Sequence, residues 1–194
     1  MFRKFHVAWT IGALACPLLV GPFVTTAVGQ DDPYPRIDIA ISYEVDPAWP
    51  KRPEGVEWGA MPGVAVDGQD NVWIFTRANP PVQVYKASDG TLVRSFGQQE
   101  LKTAHHIKID RDGNVWLADI GRHLVMQFSP GGQLLRQLGT PDESGEDQTH
   151  FNMSTDMAMT QGGDVFVSDG YGNNRVVHYD FNEFRRRLPM SYPV

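Results

Sequence analysis

The sequence predicts an all-β protein made of about three repeats of a four-stranded antiparallel unit. Three observations lead to this prediction: a hairpin pattern that occurs three times, an aromatic residue at the same place in each copy, and a glycine-bounded strand that follows two of the copies. The copies recur about every forty to fifty residues. Four strands per unit at this spacing are typical of the blades of a β-propeller.

The repeat is clearest between His105 and Phe128. Short apolar and β-branched runs alternate here with turn residues, and Gly113 is the residue of the first turn that most readily takes a positive φ. Strands joined by such short connections pair in antiparallel order, each with the one before it. The predicted strands of this unit are 105–109, 115–118, 124–128 and 133–138.

The same hairpin occurs upstream at 64–75 and downstream at 157–169. Trp73, Trp116 and Phe166 take the same place in the three copies, so we expect them to pack between adjacent blades. After residue 180 the repeat decays, which predicts an incomplete last blade. Because a propeller ring needs at least four blades, we expect two outer blade faces to be exposed.

The two ends of the chain differ from the repeats. Residues 1–29 combine Arg3 and Lys4, an apolar stretch and a small-x-small cleavage site, which predicts a signal peptide and a secreted or periplasmic protein. A lipoprotein signal around Cys16, the only cysteine, is the alternative. We expect residues 30–60 to wrap the first blade as an extended arm, with a flexible linker as the alternative. Residues 61–184 would form the partial propeller and 185–194 an irregular tail.

The charge of the chain narrows the range of partners. The formal net charge is −6, with 23 acidic and 17 basic residues. An acidic chain of this kind is a poor candidate for nucleic acid binding. No membrane contact is expected after cleavage of the signal peptide, which leaves a peptide or small molecule as the expected ligand. Self-association through the open blade faces is a further expectation, since two copies of three blades would make six.

Three side chains are predicted to meet at one rim of the central channel. In an antiparallel hairpin, the start of the first strand lies at the same end as the end of the second strand. His105 starts a first strand, whereas Arg77 and Tyr171 each follow a second strand. Binding sites of propellers lie at such a rim. The residues alone favour reading His105 simply as a polar residue at a strand start. His106 is one step out of register and is not expected to face the channel.

Several stretches resemble one enzyme family. They are residues 105–125, the Gln148–Phe151 run and the Asp-Gly-Tyr-x-Asn-x-Arg element at Asp169–Arg175. Together they resemble the peptidylamidoglycolate lyase family, which is the lyase half of peptidylglycine α-amidating enzymes. The likeness covers residues 61–179. It implies a six-bladed propeller of NHL-type repeats, of which about three are present. It also implies cleavage of a peptidyl-α-hydroxyglycine into a peptide amide and glyoxylate.

The resemblance assigns roles to individual residues. His105 matches the first of three zinc-binding histidines, and Tyr171 matches the tyrosine proposed as the catalytic base. Arg77 matches the arginine that contacts substrate near the metal. Val64 and Ile107 match positions whose backbone carbonyls bind a structural calcium. The cofactors implied by the family are therefore zinc and calcium.

The chain also departs from the family pattern. The other two zinc histidines and the calcium-binding aspartate of the family belong to later blades, which this sequence does not reach. A zinc held by one histidine would be bound loosely, and a tyrosine with an ordinary pKa of about 10 is a weak base at neutral pH. We therefore expect a truncated or frame-shifted product that is inactive as it stands. The alternative is a non-catalytic NHL-repeat module that binds a peptide, protein or glycan.

Overall fold

The computed structural model describes residues 43–181, and within this range every strand belongs to one of three antiparallel sheets. None of the described elements is a helix long and apolar enough to cross a membrane. The predictions for residues 1–29 and 185–194 lie outside the described residues, as does residue range 30–42 of the predicted arm. The strands are β1 Gly63–Val66, β2 Asn71–Phe75, β3 Val82–Lys86, β4 Leu92–Phe96, β5 Ala104–Ile109, β6 Val115–Asp119, β7 Leu124–Phe128, β8 Leu134–Leu138, β9 Asp156–Met159, β10 Val165–Asp169 and β11 Arg175–Tyr179.

Each sheet is a meander whose strands pair in chain order. The first sheet has the order β1-β2-β3-β4 and the second β5-β6-β7-β8, while β9, β10 and β11 form the third. Consecutive strands are antiparallel throughout, and the strand boundaries fall within about one residue of those predicted for the central unit. The predicted fold of β-propeller blades is therefore confirmed, with a third blade that has three strands among the described residues.

A carboxylate ties each of the first two hairpin turns to the strand that follows. Asp67 accepts hydrogen bonds from the backbone N–H of Asn71 at 2.9 Å and from the indole N–H of Trp73 at 2.8 Å. Burial acts to raise the pKa of Asp67, but these hydrogen bonds outweigh it and hold the pKa below its usual value. Asp110 repeats the arrangement with Asn114 at 2.8 Å and the indole of Trp116 at 3.0 Å. The turn thereby fixes the rotamer of the tryptophan that packs against the next blade.

The apolar core lies between the sheets. Trp73 belongs to the cluster between the first and second sheets, and Trp116 to the cluster between the second and third. Both indoles are 2% exposed, as predicted for residues between blades. The innermost strands touch directly, because a Cβ added at Gly63 would lie 2.9 Å from the side chain of Ile107. The second sheet is therefore covered on both faces.

The prediction that Phe166 packs between blades is wrong. Phe166 is 36% exposed and stacks on the imidazole of His178, with ring centroids 4.5 Å apart. Two physical reasons account for this. No element among residues 43–181 covers this face of the third sheet, and a phenyl ring has no N–H with which to bond its turn, where Thr160 replaces the aspartate of the other two blades.

Residues 44–62 run over the outward face of the first sheet. The backbone N–H of Lys51 donates to the carbonyl of Gly90 at 2.8 Å. The indole N–H of Trp58 reaches the side-chain oxygens of Gln83 and Tyr85 at 3.2 and 3.3 Å, and both of those residues are buried. We call residues 44–62 the arm. It satisfies polar groups that the sheet itself leaves without partners.

The outer faces of the first and third sheets keep apolar side chains in solvent. Val64 and Val66 are 67% and 58% exposed on the first sheet, and Val176 is 66% exposed on the third. Equivalent positions on the second sheet are covered by its neighbours. The molecule therefore presents two apolar strips, one at each end of the stack of blades.

Candidate functional site

His105 occupies an irregular position in the inner strand of the second blade. Ala104 pairs with Asp119 and His106 with Ala118, so the register shifts at His105 and leaves it without a partner in β6. An extra residue of this kind forms a β-bulge, which redirects a side chain away from its regular orientation. The imidazole of His105 points across to the third blade as a result.

Both ring nitrogens of His105 have a partner in the third blade. Nδ1 lies 2.7 Å from the carbonyl oxygen of Thr155, and Nε2 lies 3.0 Å from the hydroxyl of Tyr171. A carbonyl oxygen can only accept, so Nδ1 must carry the proton in this arrangement. In a neutral imidazole Nε2 is then the acceptor, and the hydroxyl of Tyr171 donates to it. The two rings meet edge to face at 5.1 Å.

A buried carboxylate, that of Asp169, fixes the loop that carries Tyr171. Asp169 is fully buried and accepts hydrogen bonds from the amide of Asn173 at 2.7 Å and from Nε of Arg175 at 2.9 Å. It also accepts from the backbone N–H of Asn152 at 2.8 Å. The hydroxyl of Tyr171 is held at His105 by the hydrogen bond described above. Because Tyr171 is 61% exposed, its side chain remains accessible to a ligand.

Asp119 has the equivalent role in the second blade. This buried residue accepts from the backbone N–H groups of Thr103 and Gly121, both at 2.9 Å. It therefore fixes the segment that leads into β5, including the approach to His105. Asp119 and Asp169 thus cap the corresponding loops of the second and third blades.

Arg77 lies beside the start of β5. Its backbone N–H donates to the carbonyl oxygen of Ala60 at 2.9 Å, and its Nε–H donates to the carbonyl oxygen of Ala104 at 3.1 Å. Ala104 directly precedes His105, so the structure brings Arg77 to the same end of the blades as His105 and Tyr171. The side chain of Arg77 is exposed, which leaves the guanidinium accessible from solvent.

The inner strands present backbone carbonyls at the predicted calcium positions. The backbone N–H of Asp67 donates to the carbonyl oxygen of Asn71 opposite it, and the N–H of Asp110 donates to that of Asn114. Each of these two pairs is therefore a hydrogen-bonded pair of its ladder. Since bonded and non-bonded pairs alternate in an antiparallel ladder, Val64 and Ile107 fall at non-bonded pairs. Their carbonyls therefore point away from the second strands, along the inner edge of the blades.

The described residues do not complete either expected metal site. Within residues 43–181 no group of three His, Cys, Asp or Glu side chains is placed to hold a metal ion. His105 offers a single imidazole, whereas a protein zinc site uses three or four protein ligands. Val64 and Ile107 offer two neutral oxygens, whereas calcium takes six to eight, including carboxylates.

Sequence reasoning missed a set of polar contacts between the inner strands of the second and third blades. Lys108 Nζ lies 2.9 Å from Oδ1 of Asp156 and also donates to the carbonyl oxygen of Met157. His106 Nε2 lies 3.3 Å from the same carboxylate oxygen. Burial lowers the pKa of His106, although Asp156 opposes the shift. A basic residue near the end of β5 and an acidic residue at the start of β9 are the signal that could have identified this contact.

Comparison with proteins of known sequence shows clear relatives. The chain is 32% identical over 181 residues to a rat protein named peptidylglycine alpha-amidating monooxygenase, covering 78% of this chain and 18% of the rat protein. It is 36% identical over 90 residues to a probable peptidyl-alpha-hydroxyglycine alpha-amidating lyase of Caenorhabditis elegans, covering 46% and 26%. A human NHL repeat-containing protein is 31% identical over 151 residues, covering 71% and 43%. The chain thus spans less than half the length of each of these relatives.

Solved structures support the fold. A Bacteroides thetaiotaomicron protein of unknown function superposes with a TM-score of 0.54 at 15% identity, covering 64% of this chain and 34% of that one. A streptogramin B lyase superposes with a TM-score of 0.50 at 12% identity, covering 65% and 42%. At these identities the likeness concerns the fold alone. No family model matches the sequence.

Proposed function

From its sequence similarity to the peptidylglycine α-amidating enzymes and their NHL-repeat relatives, we propose that this chain carries part of a lyase site for peptidyl-α-hydroxyglycine. The similarity covers 78% of this chain for the rat protein and 71% for the human NHL repeat-containing protein, and the fold is a stack of propeller blades. The observation that carries the proposal is the contact between His105 and Tyr171. Two residues that the resemblance pairs in one site, 66 positions apart in the chain, lie within hydrogen-bond distance.

The arrangement suits removal of a proton from the substrate hydroxyl. Tyr171 donates its phenolic hydrogen to Nε2 of His105, so the imidazole can hold that proton while the phenolate oxygen takes the proton of the hydroxyl. The hydroxyl oxygen then forms the aldehyde of glyoxylate as the carbon–nitrogen bond breaks. The departing amide nitrogen takes up a proton and leaves as the peptide amide, which balances the reaction.

Arg77 would bind the carboxylate of the substrate. A guanidinium presents paired N–H donors that match a carboxylate in a bidentate geometry. Its Nε is already held by Ala104, next to His105, which restricts the side chain to the rim of the site. This placement would set the α-hydroxyl of the same glycine unit toward Tyr171.

We further propose that tight binding of zinc and calcium needs ligands beyond the described residues. His105 has only the Nε2 lone pair to offer zinc, and this lone pair already accepts from Tyr171, while two carbonyls replace few of the water molecules around calcium. The affinity of residues 43–181 for either ion should therefore be low. Turnover by this chain alone should accordingly be small. Zinc content after dialysis, measured together with glyoxylate release, checks both statements.

A binding experiment tests the site independently of turnover. Three short peptides would be titrated into the labelled chain: one ending in α-hydroxyglycine, one in glycine and one in an amide. We expect the first to perturb the NMR signals of Arg77, His105 and Tyr171, and the amide product to bind more weakly because it lacks a carboxylate. An R77M variant should lose most of this discrimination. Equal binding of all three peptides, or perturbations elsewhere on the blades, would contradict the proposal.

The second candidate function is a non-catalytic NHL-repeat module that binds a peptide, protein or glycan. It is favoured by the similarity to the human NHL repeat-containing protein and by the single metal-type histidine at the site. The two candidates differ in product formation. Glyoxylate release that depends on Tyr171 supports the lyase, whereas binding without any glyoxylate, even with added zinc, supports the module.

We also propose that the chain is exported and that its exposed strips mediate self-association. The basis for export is the signal-peptide pattern of residues 1–29, and N-terminal sequencing of the released protein at Gln30 would test it.

The basis for self-association is that Phe166 and Val176 occupy the face that, in the other two blades, covers the next sheet. The partner that we propose for this face is a second copy of this chain, because the same kind of interface already occurs twice within it.

A further inference from the structure

The orientation of His105 depends on a neighbouring blade. The carbonyl oxygen of Thr155 accepts the Nδ1–H of His105 at 2.7 Å, and this bond selects the tautomer whose Nε2 is free to accept. Histidines at reactive sites are commonly oriented in this way by a hydrogen bond to the other ring nitrogen. The tautomer of a histidine on the second blade is therefore set by a backbone group of the third.

The backbone of Thr155 is tied to its own blade. Its N–H donates to the carbonyl oxygen of Ser168 at 2.8 Å, and its hydroxyl donates to the same oxygen at 3.3 Å. Neither bond reaches the second blade. The distance from Thr155 to His105 therefore depends on contacts made by neighbouring residues. These are the packing of β9 against β5 and the bonds of Met153 and Ser154 to the second blade.

Two side chains of β5, those of Lys108 and His106, join these two strands close to the site. Lys108, on β5, contacts Asp156 at 2.9 Å and also donates to the carbonyl of Met157. Asp156 and Met157 directly follow Thr155 in the chain. The ammonium therefore bonds to two successive residues of β9, and with His106 it brings two charged or polar groups of β5 to the same carboxylate.

The geometry at Met157 explains why a cation fits there. Thr160 donates its N–H to the carbonyl of Asp164, so Met157 falls at a non-bonded pair of the β9–β10 ladder. Its carbonyl points away from β10 and has no partner within its sheet. Lys108 is half-buried beside it and supplies the missing donor.

We infer that Lys108 is a positioning residue for His105, acting through Asp156, Met157 and the carbonyl of Thr155. It does not touch the reacting atoms. It holds β9 at the distance from β5 at which the Thr155 carbonyl binds Nδ1–H of His105. This inference deepens the proposed function, on which it rests only for the role of His105 in the site.

The test measures the tautomer of His105 directly. Long-range ¹⁵N–¹H correlation spectra of the imidazoles would be recorded at about pH 8.5, above the ordinary pKa of histidine, with H105Q used to assign the signals. In the K108M variant we expect the ratio of the Nδ1–H tautomer to the Nε2–H tautomer to fall by roughly fivefold or more, as for the loss of one ordinary hydrogen bond. K108R should restore most of the wild-type ratio, since it keeps the charge and the donors.

A matched control is available on the same pair of blades. Arg111 also links the second blade to the third, through a 2.5 Å bond from its guanidinium to the carbonyl of Gln161, but it lies at the opposite end of the inner strand. R111M should leave the His105 signals unchanged while lowering stability by a similar amount. Unchanged signals in K108M, or an equal change in R111M, would overturn the inference. A K108M-dependent tautomer together with equal binding of the three peptides would leave the inference standing and count against the lyase proposal.

Discussion

The hydroxyl of Tyr171 lies 3.0 Å from Nε2 of His105, although the two residues belong to different blades and are 66 positions apart. This contact joins the bulged residue of β5 to a loop held by a buried aspartate. It makes each residue sensitive to changes in the other. Substitutions at this pair should therefore affect chemistry, whereas substitutions further out in the blades should affect stability and association.

Replacing Tyr171 by phenylalanine removes the proton donor to His105 and keeps the ring. We expect glyoxylate release from an α-hydroxyglycine peptide to fall by about 10²-fold or more, because a general base typically contributes that much. Peptide binding and the urea midpoint should change little, since Tyr171 is 61% exposed. If the Y171F variant retained full turnover, Tyr171 would not be the base. A variant of the neighbouring exposed residue, N174A, serves as the control.

Replacing Asp110 by alanine should destabilise the second blade by about 1–3 kcal/mol, because several donors would lose their acceptor. Those donors include the indole of Trp116 and the amide of Gln127, at 3.0 Å each. Urea unfolding monitored by tryptophan fluorescence measures the effect. The exposed neighbour in the same turn provides the control, and D112A should stay within about 0.5 kcal/mol of wild type. Equal losses in both variants would show that the turn as a whole, rather than the carboxylate, is responsible.

The stability of the protein should depend on pH through His150, which lies in the loop before β9. Hydrogen bonding to Asp147 raises the pKa of His150, and its Nδ1 lies 2.8 Å from that carboxylate. A group whose pKa is raised on folding contributes stability below its unfolded pKa of about 6.5, and this contribution is lost as the pH rises through the folded pKa. The same bond lowers the pKa of Asp147, which therefore stays ionised throughout this range.

The measurement is the melting temperature of wild type and of H150Q between about pH 5.5 and about pH 8.5. The difference between the two proteins should be largest at about pH 5.5 and should shrink toward about pH 8.5. A difference that grows with pH would mean that the neutral imidazole, rather than the cation, is the stabilising form.

Self-association should depend on Phe166. Replacing it by serine removes an aromatic ring from the exposed strip of the third sheet, where it is 36% exposed. Since a buried aromatic side chain contributes on the order of 1.5–3 kcal/mol, the dissociation constant should rise by about tenfold or more. Sedimentation equilibrium measures this directly.

The matched control is Leu135, which is 49% exposed on the outer strand of the second blade and should be replaceable by serine without effect. A wild-type chain that stays monomeric at high concentration would contradict the proposal. A dimer that responds to L135S but not to F166S would assign the interface to a different surface.

Much of the fold could be predicted because each signal was local. The turns, the alternation of apolar residues and the repeated aromatic position determine strand order, and hairpin direction alone places His105 and Tyr171 at one end of the blades. The bulge at His105 could not be predicted, since it depends on how β5 meets the third blade. The carbonyl of Thr155 carries no side-chain signal at all.

The error at Phe166 has a similar origin. A repeat pattern reports what a position packs against when a neighbour is present, and it does not report whether the neighbour is there. Trp73 and Trp116 each have one, and Phe166 has none among residues 43–181. The spacing between the turn aspartate and the following tryptophan repeats in the sequence. That the indole N–H bonds to the aspartate depends on the geometry of the turn.

The arm determines where the smallest stable version of this domain begins. The repeat pattern starts near Met61, yet the amide of Gln83 donates to the carbonyl of Glu57 at 3.2 Å, and Trp58 bonds to its oxygen. A protein shortened to Met61 would leave that buried amide short of partners and would uncover Tyr85. For protein engineering, the domain should therefore begin upstream of Trp49, whose indole donates to the carbonyl oxygen of Lys86, because the first blade shares buried polar contacts with residues that belong to no repeat.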